Sequence, residues 1–248
     1  METTAFFSGH ANSGAMIARM HKIGQPPDMV VHAVTGLEFD QVHEWMEKFE
    51  RFLGIEVIRE DITKEKPRYN FFTYYNTPWL KRSKFYGEIH GTPKIIDPCW
   101  HNRNVKQPVF KKYEAISSVT YTGFTVEERH RILAYKKGRI KRYPLIEWQW
   151  SANDSRKYLK KIGIPHPMYE VFGFRRLGCC ICPKQNESQL RLIYENFPKI
   201  WDLILYMEDT SPKGFRVSGQ PTPYDLMERW DREKNPKTTL SDFMEYKC

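Results

Sequence analysis

The residues of this 248-residue sequence most able to do chemistry are a cysteine cluster and a loop of small polar residues near the start. Cys179, Cys180 and Cys182 lie within four positions, while Cys99 and Cys248 stand apart. An odd number of cysteines, packed this way, is unlike a secreted disulfide framework and points to metal ligation or redox chemistry in a reducing compartment. Cys179 and Cys182 form a CxxC pair that can chelate one metal ion or one edge of a cluster. The loop is Ser8-Gly-His-Ala-Asn-Ser13. Its small residues let the backbone wrap phosphate oxygens, and the Ser8 and Ser13 hydroxyls add donors. It is neither GxGxxG nor a Walker sequence, so those motifs are excluded. A Ser/Gly turn that merely caps a helix is the plainer alternative.

These groups need a scaffold, and the flanking sequence supplies one. Ala5 to Phe7 forms a short apolar strand that runs straight into the loop. Met16, Ile17, Met20 and Ile23 then fall at helical spacing until Gly24, Pro26 and Pro27. A strand over Met29 to Val34, an amphipathic helix marked by Val42, Trp45, Met46, Phe49, Phe52 and Leu53, and a strand over Ile55 to Ile58 follow. This alternation predicts an α/β fold: a parallel sheet with right-handed crossovers, flanked by helices in a Rossmann-like three-layer arrangement. Residues 62–115 read as irregular. Val119 to Thr122 is a further strand, and Thr125 with Glu128 has capping-box spacing for a helix. Tyr143 to Trp148 reads as extended, and Ser151 with Asp154 opens a helix that stops at Gly163 and Pro165. Leu190 to Met207 is helical with a break at Pro198, and 209–223 is a loop.

A formal net charge of +9 favours polyanionic or highly charged small partners over a neutral one. The run Tyr135 to Arg142, centred on Gly138, reads as a loop able to contact phosphates; a solvated basic surface is the alternative. No stretch of about 18 apolar residues exists, which excludes a helical membrane span. The N-terminus lacks a signal peptide's basic flank and apolar core, so a cytoplasmic location is expected.

Several blocks together resemble the phosphoadenosine phosphosulfate (PAPS) reductase family of the adenine nucleotide α-hydrolase superfamily. Ser8 to Ser13 stands for the family's SGGxDS-like pyrophosphate loop. Val34-Thr-Gly-Leu-Glu-Phe39 matches DTGxEF except for the Asp. Cys99 to Pro108 echoes a CxxxLKxxP block, and Gly123, Glu128 and Arg131 survive from GxRxxEsxxR. Pro144 to Trp148, Ile164-Pro165, Tyr169, Gly173 and Gly178-Cys179 follow in the family's order. The likeness spans roughly residues 3–185. It implies a nucleotide-binding domain over 1–185 with a helical extension over 186–248.

The resemblance implies that Ser8, Gly9, His10, Asn12, Ser13, Thr35 and Gly36 bind an adenine nucleotide or sulfonucleotide. It places Lys106, Gly123, Glu128 and Arg131 at the substrate's phosphate or sulfate; Arg suits bidentate oxyanion contacts and Lys a point charge. In iron–sulfur members an early cysteine block joins a later CxxC, so Cys99, Cys179, Cys180 and Cys182 are expected to ligate a 4Fe–4S cluster. Zinc with His101 as a ligand is the lesser alternative, and metal-free thiols are the third. The early block keeps one cysteine where those members have two, Trp100 taking the second place.

Other departures bear on activity. His10 replaces a Gly and Asn12 an Asp, which weakens the case for ATP hydrolysis. The family's C-terminal ECGxH segment, whose Cys attacks sulfur, is absent. Cys248, beside Lys247, is the candidate catalytic thiol, set against an incidental surface thiol. The expected function is sulfur transfer or sulfonucleotide reduction, with a thioredoxin-like or other thiol donor. The alternatives are a nucleic-acid-binding or DNA-modifying relative, since DNA phosphorothioation proteins resemble the same family, or an inactive nucleotide-binding protein. The eight histidines show no metal-ligand spacing such as HExxH, and most read as ordinary polar residues.

Overall fold

Phe6 and Phe7 are neighbours in an extended segment, so their side chains leave the backbone on opposite sides. Both are buried, which requires a layer of structure on each face of the strand. In the computed structural model, which describes residues 2–93, 99–134, 140–216 and 219–234, both layers are present. The Phe6 ring lies 4.4 Å from Phe110 on one face, and Phe7 lies 5.8 Å from Trp45 and 5.0 Å from Phe49 on the other.

The strands are β1 (Thr3–Phe6), β2 (Met29–Ala33), β3 (Val57–Glu60), β4 (Val119–Thr122) and β5 (Ile140–Arg142). Among the described residues they form one sheet in the order β3-β2-β1-β4-β5, with every pairing parallel. Successive strands run outward from β1 in one direction and then, from β4, in the other. The order therefore reverses between β1 and β4, and in open parallel sheets ligands bind at such a crevice beyond the strands' carboxyl ends.

Between β1 and β2 runs α1 (Ala11–Lys22), and between β2 and β3 runs α2 (Asp40–Leu53). Gly54 closes α2 at φ 65° and its N–H bonds the Glu50 carbonyl, a left-handed C-cap that favours glycine. The stretch read as irregular holds α3 (Ile62–Glu65), a 3-10 turn at Pro67–Tyr69, α4 (Phe71–Asn76), a π-helical turn at Asn102–Lys106 and α5 (Gln107–Ile116). α5 carries Phe110, and its Val109 and Tyr113 join Phe6, Val31 and Ala33 in one buried cluster. After β4 comes a 3-10 helix, Val126–Ala134, in place of the expected α-helix start.

The expectation of an extended Tyr143 to Trp148 is corrected: Pro144–Glu147 is a helical turn, α6, with Pro at its first position. Proline's fixed φ and missing N–H suit that position. α7 (Ala152–Lys161) begins with a full capping box in which Ser151 and Asp154 bond each other's backbone N–H groups. α8 (Pro167–Glu170) follows.

The chain divides into two compact units. Met1–Asn76 with Ile96–Cys180 carries the sheet, while Thr77–Ile95 with Ile181–Cys248 forms the second unit. In the second unit α9 (Glu187–Asn196), α10 (Pro198–Thr210) and α11 (Pro223–Lys234) pack around Tyr194, Trp201 and Trp230, whose ring centroids are 5.3 to 5.7 Å apart. No helix of the described residues is long and apolar enough to cross a membrane.

Candidate functional site

The loop after β1 is tied into a tight shape by its own serines. Ser13 Oγ accepts the Ser8 N–H at 3.1 Å, lies 2.9 Å from Ser8 Oγ, and donates to the His10 carbonyl at 3.1 Å. Ser13 is therefore a brace of the loop as well as a donor candidate. Gly9 sits at φ 71°, and a Cβ there would stand 2.7 Å from Val42 Cγ1 and 3.0 Å from Met46 Sδ. Both the left-handed backbone and the close packing on α2 demand glycine.

α1 then opens with His10 as N-cap residue, whose side chain makes no cap hydrogen bond, while the Tyr169 hydroxyl lies against the Ala11 N–H. An uncapped helix start presents N–H groups and the positive end of the helix dipole, the arrangement that suits a phosphate. The loop after β4 closes in from the other side of the crevice. A Cβ on Gly123 would lie 2.9 Å from Ser13 Cα and 3.0 Å from Ser13 N, so only glycine lets the backbone come this near α1.

Histidines from four different elements gather beneath this loop. Nε2 of buried His166 donates to the Gly9 carbonyl at 2.8 Å, while its Nδ1 accepts the Met168 N–H at 3.2 Å. That pair of bonds requires the neutral imidazole. Burial pushes its pKa down to about 4. The ring stacks 4.2 Å from Trp45. Loss of water around the ring also holds His10 well below its ordinary value, aided by the charges of Lys106 and Arg176. His32 is lowered by burial, against the opposing pull of Phe7 O, which Nδ1 contacts at 2.9 Å, and of Glu38. His101 is brought to about 4 by burial and by Lys106. The expectation that most histidines are ordinary polar residues fails for these positions, where burial keeps the rings neutral.

Glu38 is the acidic member. Burial alone would raise its carboxyl, but the Thr35 hydrogen bond, His32 and Lys106 outweigh it and hold the group ionised. Its Oε1 accepts the Thr35 N–H at 3.1 Å and the Thr35 hydroxyl at 2.6 Å. Thr35 is thus committed to Glu38, and Gly36 makes the turn at φ 70°. His32 Nε2 and Glu38 Oε1 face each other at 3.9 Å. His32 Nε2, Glu38 Oε2 and His101 Nε2 are buried without a hydrogen-bond partner. Buried polar atoms are normally satisfied, so these three mark a place where donors belong.

Lys106 ends the π-helical turn and bears electrostatically on His10, His32, Glu38 and His101. Its placement joins the expected oxyanion group to the loop. Glu128 both caps the turn after β4 and pairs with Arg131. Its Oε2 accepts the Thr125 N–H at 3.4 Å, and its Oε1 pairs with Arg131. The Arg131 guanidinium also lies 4.0 Å from the Phe124 ring centroid, which fixes it at an exposed position after β4.

The cysteines are partly drawn toward the same crevice. The Cys180 N–H bonds the Leu37 carbonyl at 2.8 Å, tying the cysteine segment to the loop after β2. Cys179 Sγ lies 3.9 Å from His101 Nδ1, and Cys99 Sγ accepts the Asn102 N–H at 3.3 Å. In kind, thiols and a neutral imidazole fit a thiophilic metal. In place they do not: among the described residues, no three His, Cys, Asp or Glu side chains are gathered to hold one. Cys182 follows in the second unit. Cys248 and residues 135–139 of the basic run lie outside the described residues. Of that run, Lys141 pairs with Glu114 at 2.5 Å and Arg142 with Glu147, so both are neutralised within the fold.

No family model matches the chain. It is 25% identical over 201 residues to the uncharacterized protein MJ0066 of Methanocaldococcus jannaschii, covering 80% of this chain and 39% of that protein. It is 26% identical over 226 residues to the uncharacterized protein MJ0973 of the same organism, covering 84% and 50%. The chain thus spans half or less of the length of these relatives. In structure it is similar to the phosphoadenylyl-sulfate (PAPS) reductase of Candida auris, solved as a phosphate complex. The TM-score is 0.50 at 14% identity, covering 72% of this chain and 81% of that one. The fold that the sequence resemblance implied is the fold observed.

Proposed function

We propose that this protein binds an adenine nucleotide or sulfonucleotide at the crevice between β1 and β4 and acts in sulfur transfer or sulfonucleotide reduction. The observation that carries the reading is the start of α1, which the His10 side chain leaves uncapped and which Gly123 approaches so closely that only glycine fits. The fold likeness to a PAPS reductase solved with phosphate supports it. In this reading Ser8, Gly9, His10, Asn12 and Ser13 cradle the phosphates through the loop backbone, and Thr35 with Gly36 shapes the adjoining turn. Lys106 supplies positive charge to the phosphate or sulfate, and Arg131, held by Glu128, gives a second cation at the rim.

Half-buried His10 and buried His32 remain neutral at pH 7, so each offers one donor and one acceptor and adds no charge. Their part is to hold hydrogen bonds at fixed atoms. Glu38 remains ionised and accepts from a ligand hydroxyl or a water at Oε2, which has no hydrogen-bond partner and faces His43 Nε2 at 3.9 Å.

Calorimetric titration with adenylyl sulfate and with a non-hydrolysable ATP analogue tests the binding step. Lys106→Ala is expected to weaken whichever ligand binds by about tenfold, the value of one charge-assisted hydrogen bond lost. Affinity equal to the parent's would remove Lys106 from the site, and no binding of either ligand would end the nucleotide reading.

The cysteine proposal is separate. Cys99, Cys179, Cys180 and Cys182 are assigned to a 4Fe–4S cluster, for which their number suffices but their present spacing does not. Such a cluster would supply fixed charge and a redox centre. Anaerobic purification followed by iron and acid-labile sulfide analysis is expected to find both, and to lose both in Cys179→Ala and Cys182→Ala. A folded anaerobic sample containing neither overturns the assignment.

A further inference from the structure

The second unit contains a loop whose chemistry the nucleotide reading leaves unused. The chain leaves α4 at Thr77 and closes a loop through an isolated antiparallel bridge between Pro78 and Ile89. The Trp79 N–H bonds the Glu88 carbonyl and the His90 N–H bonds the Thr77 carbonyl, each at 2.9 Å. Three successive turns, Ser83 N–H to Leu80 O, Tyr86 N–H to Ser83 O and Glu88 N–H to Phe85 O, shape the tip. Its base is anchored where Ser211 Oγ accepts the Thr92 N–H at 3.0 Å. Gly91, at φ 62°, leaves no room for a Cβ against that serine.

The tip reads Trp79-Leu-Lys-Arg-Ser-Lys-Phe-Tyr86, in which Lys81, Arg82 and Lys84 lie between the pairs Trp79-Leu80 and Phe85-Tyr86 with no acid among them. Leu80 is 67% exposed and Tyr86 59%, and Lys81, Arg82 and Lys84 are exposed. Trp79 and Phe85 are half-buried with ring centroids 5.9 Å apart. Lys213 Nζ stands 4.5 Å from the Phe85 centroid and 5.8 Å from that of Trp79, and Lys84 Nζ is 5.0 Å from Phe85. Basic groups are paired with carboxylates in several other places, as in Lys112–Glu60, Arg59–Glu50 and Arg229–Glu187. No ion pair is formed by Lys81, Arg82 or Lys84 among the described residues.

We propose that this loop, residues 79–86 with Lys213, is a binding surface for single-stranded nucleic acid. Exposed rings offer stacking platforms to unpaired bases, and the interleaved cations meet the phosphates between those bases. A duplex would satisfy the cations and leave Tyr86 and Leu80 without partners, because its bases are stacked on each other. An anionic bilayer would call for apolar side chains grouped at one tip. Here the apolar side chains are split into two pairs by three cations, and Lys213 stands over Trp79 and Phe85. The proposal does not depend on the identity of the nucleotide bound at the β1–β4 crevice.

The test is fluorescence anisotropy of the full chain with labelled oligouridine and oligothymidine, the same strands as duplexes, and phosphatidylserine vesicles by co-sedimentation. The single strands are expected to bind best, and whichever sugar is preferred identifies the natural strand. Lys81→Ala/Arg82→Ala/Lys84→Ala should weaken binding by tenfold or more and lower the log–log salt slope by about 2, at roughly 0.7 per phosphate contact on single strands. Tyr86→Ala should cost about tenfold with the salt slope unchanged, since it removes a stack and no charge. These side chains are exposed, so both variants should melt with the parent. The proposal is overturned by parent-like binding in both variants, by duplex binding equal to single-strand binding and indifferent to Tyr86, or by loop-dependent binding to vesicles with none to strands.

Discussion

Gly9→Ala is expected to lower the protein's unfolding free energy by about 2–5 kcal/mol. The left-handed backbone, φ 71°, costs an L-residue roughly 1–2 kcal/mol. The added methyl meets Val42 Cγ1 at 2.7 Å and Met46 Sδ at 3.0 Å, and overpacking of a tight core costs about 1–3 kcal/mol more. Because whole domains are stable by only about 5–15 kcal/mol, this is a large share of the total. Gly178→Ala is the control: its backbone is not left-handed and nothing lies within 4 Å of the added Cβ, so a change within about 0.5 kcal/mol is expected. Urea unfolding of the two variants beside the parent decides the matter. Equal midpoints for Gly9→Ala and Gly178→Ala would mean that the loop is free to relax away from α2. The same measurement bears on function, since a displaced Gly9 carbonyl loses its bond to His166.

The second large effect is acid lability. His101 and His166 are held at about 4 in the folded protein against 6.5 for the ordinary side chain. Between those values the unfolded chain binds protons that the folded one refuses, so stability falls as pH drops. The contribution is complete above pH 6.5 and is lost progressively down to about pH 4. At 1.36 kcal/mol per pKa unit the two histidines amount to at most about 6–7 kcal/mol; solvent relaxation cuts this by about half, to about 3 kcal/mol. His10 and His32 are depressed by burial as well and act in the same direction. Glu38, also held below its ordinary value, adds a loss at still lower pH. Unfolding free energies measured from pH 7.5 to 4.5 should drop steeply. His166→Gln, which can keep a donor toward Gly9 without titrating, should flatten the profile even if it lowers stability at pH 7. A profile equally steep in that variant would remove His166 from the cause.

Much of the fold was legible because period and burial agree. Phe6 and Phe7 on opposite faces of β1, the Trp45–Phe49 stripe of α2 and the Ser151–Asp154 box all say locally what the packing says globally. Where local signals are weak, the sequence misleads. Pro144 opens a single turn too short to show a helical period. α5 was hidden because Val109 and Tyr113 carry its buried face among lysines, although Pro108 near its start was a usable sign. β5 is an edge strand whose Ile140 is 61% exposed and flanked by cations, so no alternation marks it.

The phosphate loop could be seen in Ser8, Gly9 and Ser13 because its residues are contiguous. The histidines beneath it could not. His10, His32, His101 and His166 come from separate elements, and no spacing along the chain records that they meet. The reach of Glu38 to Thr35 was equally invisible, since Val34-Thr-Gly-Leu-Glu-Phe39 shows that the residues are present and gives no sign of which hydroxyl the carboxylate takes.

The bond between Thr92 and Ser211 joins residues 119 positions apart, and it has a consequence for how the protein is made. Ribosomes elongate at about 5–20 residues per second, so the loop emerges roughly 6–24 s before the serine that anchors it exists. Throughout that interval Trp79, Leu80, Phe85 and Tyr86 have only local turns to hold them. Like charge on Lys81, Arg82 and Lys84 of two such loops opposes their approach, an electrostatic restraint that acts before the second unit can close.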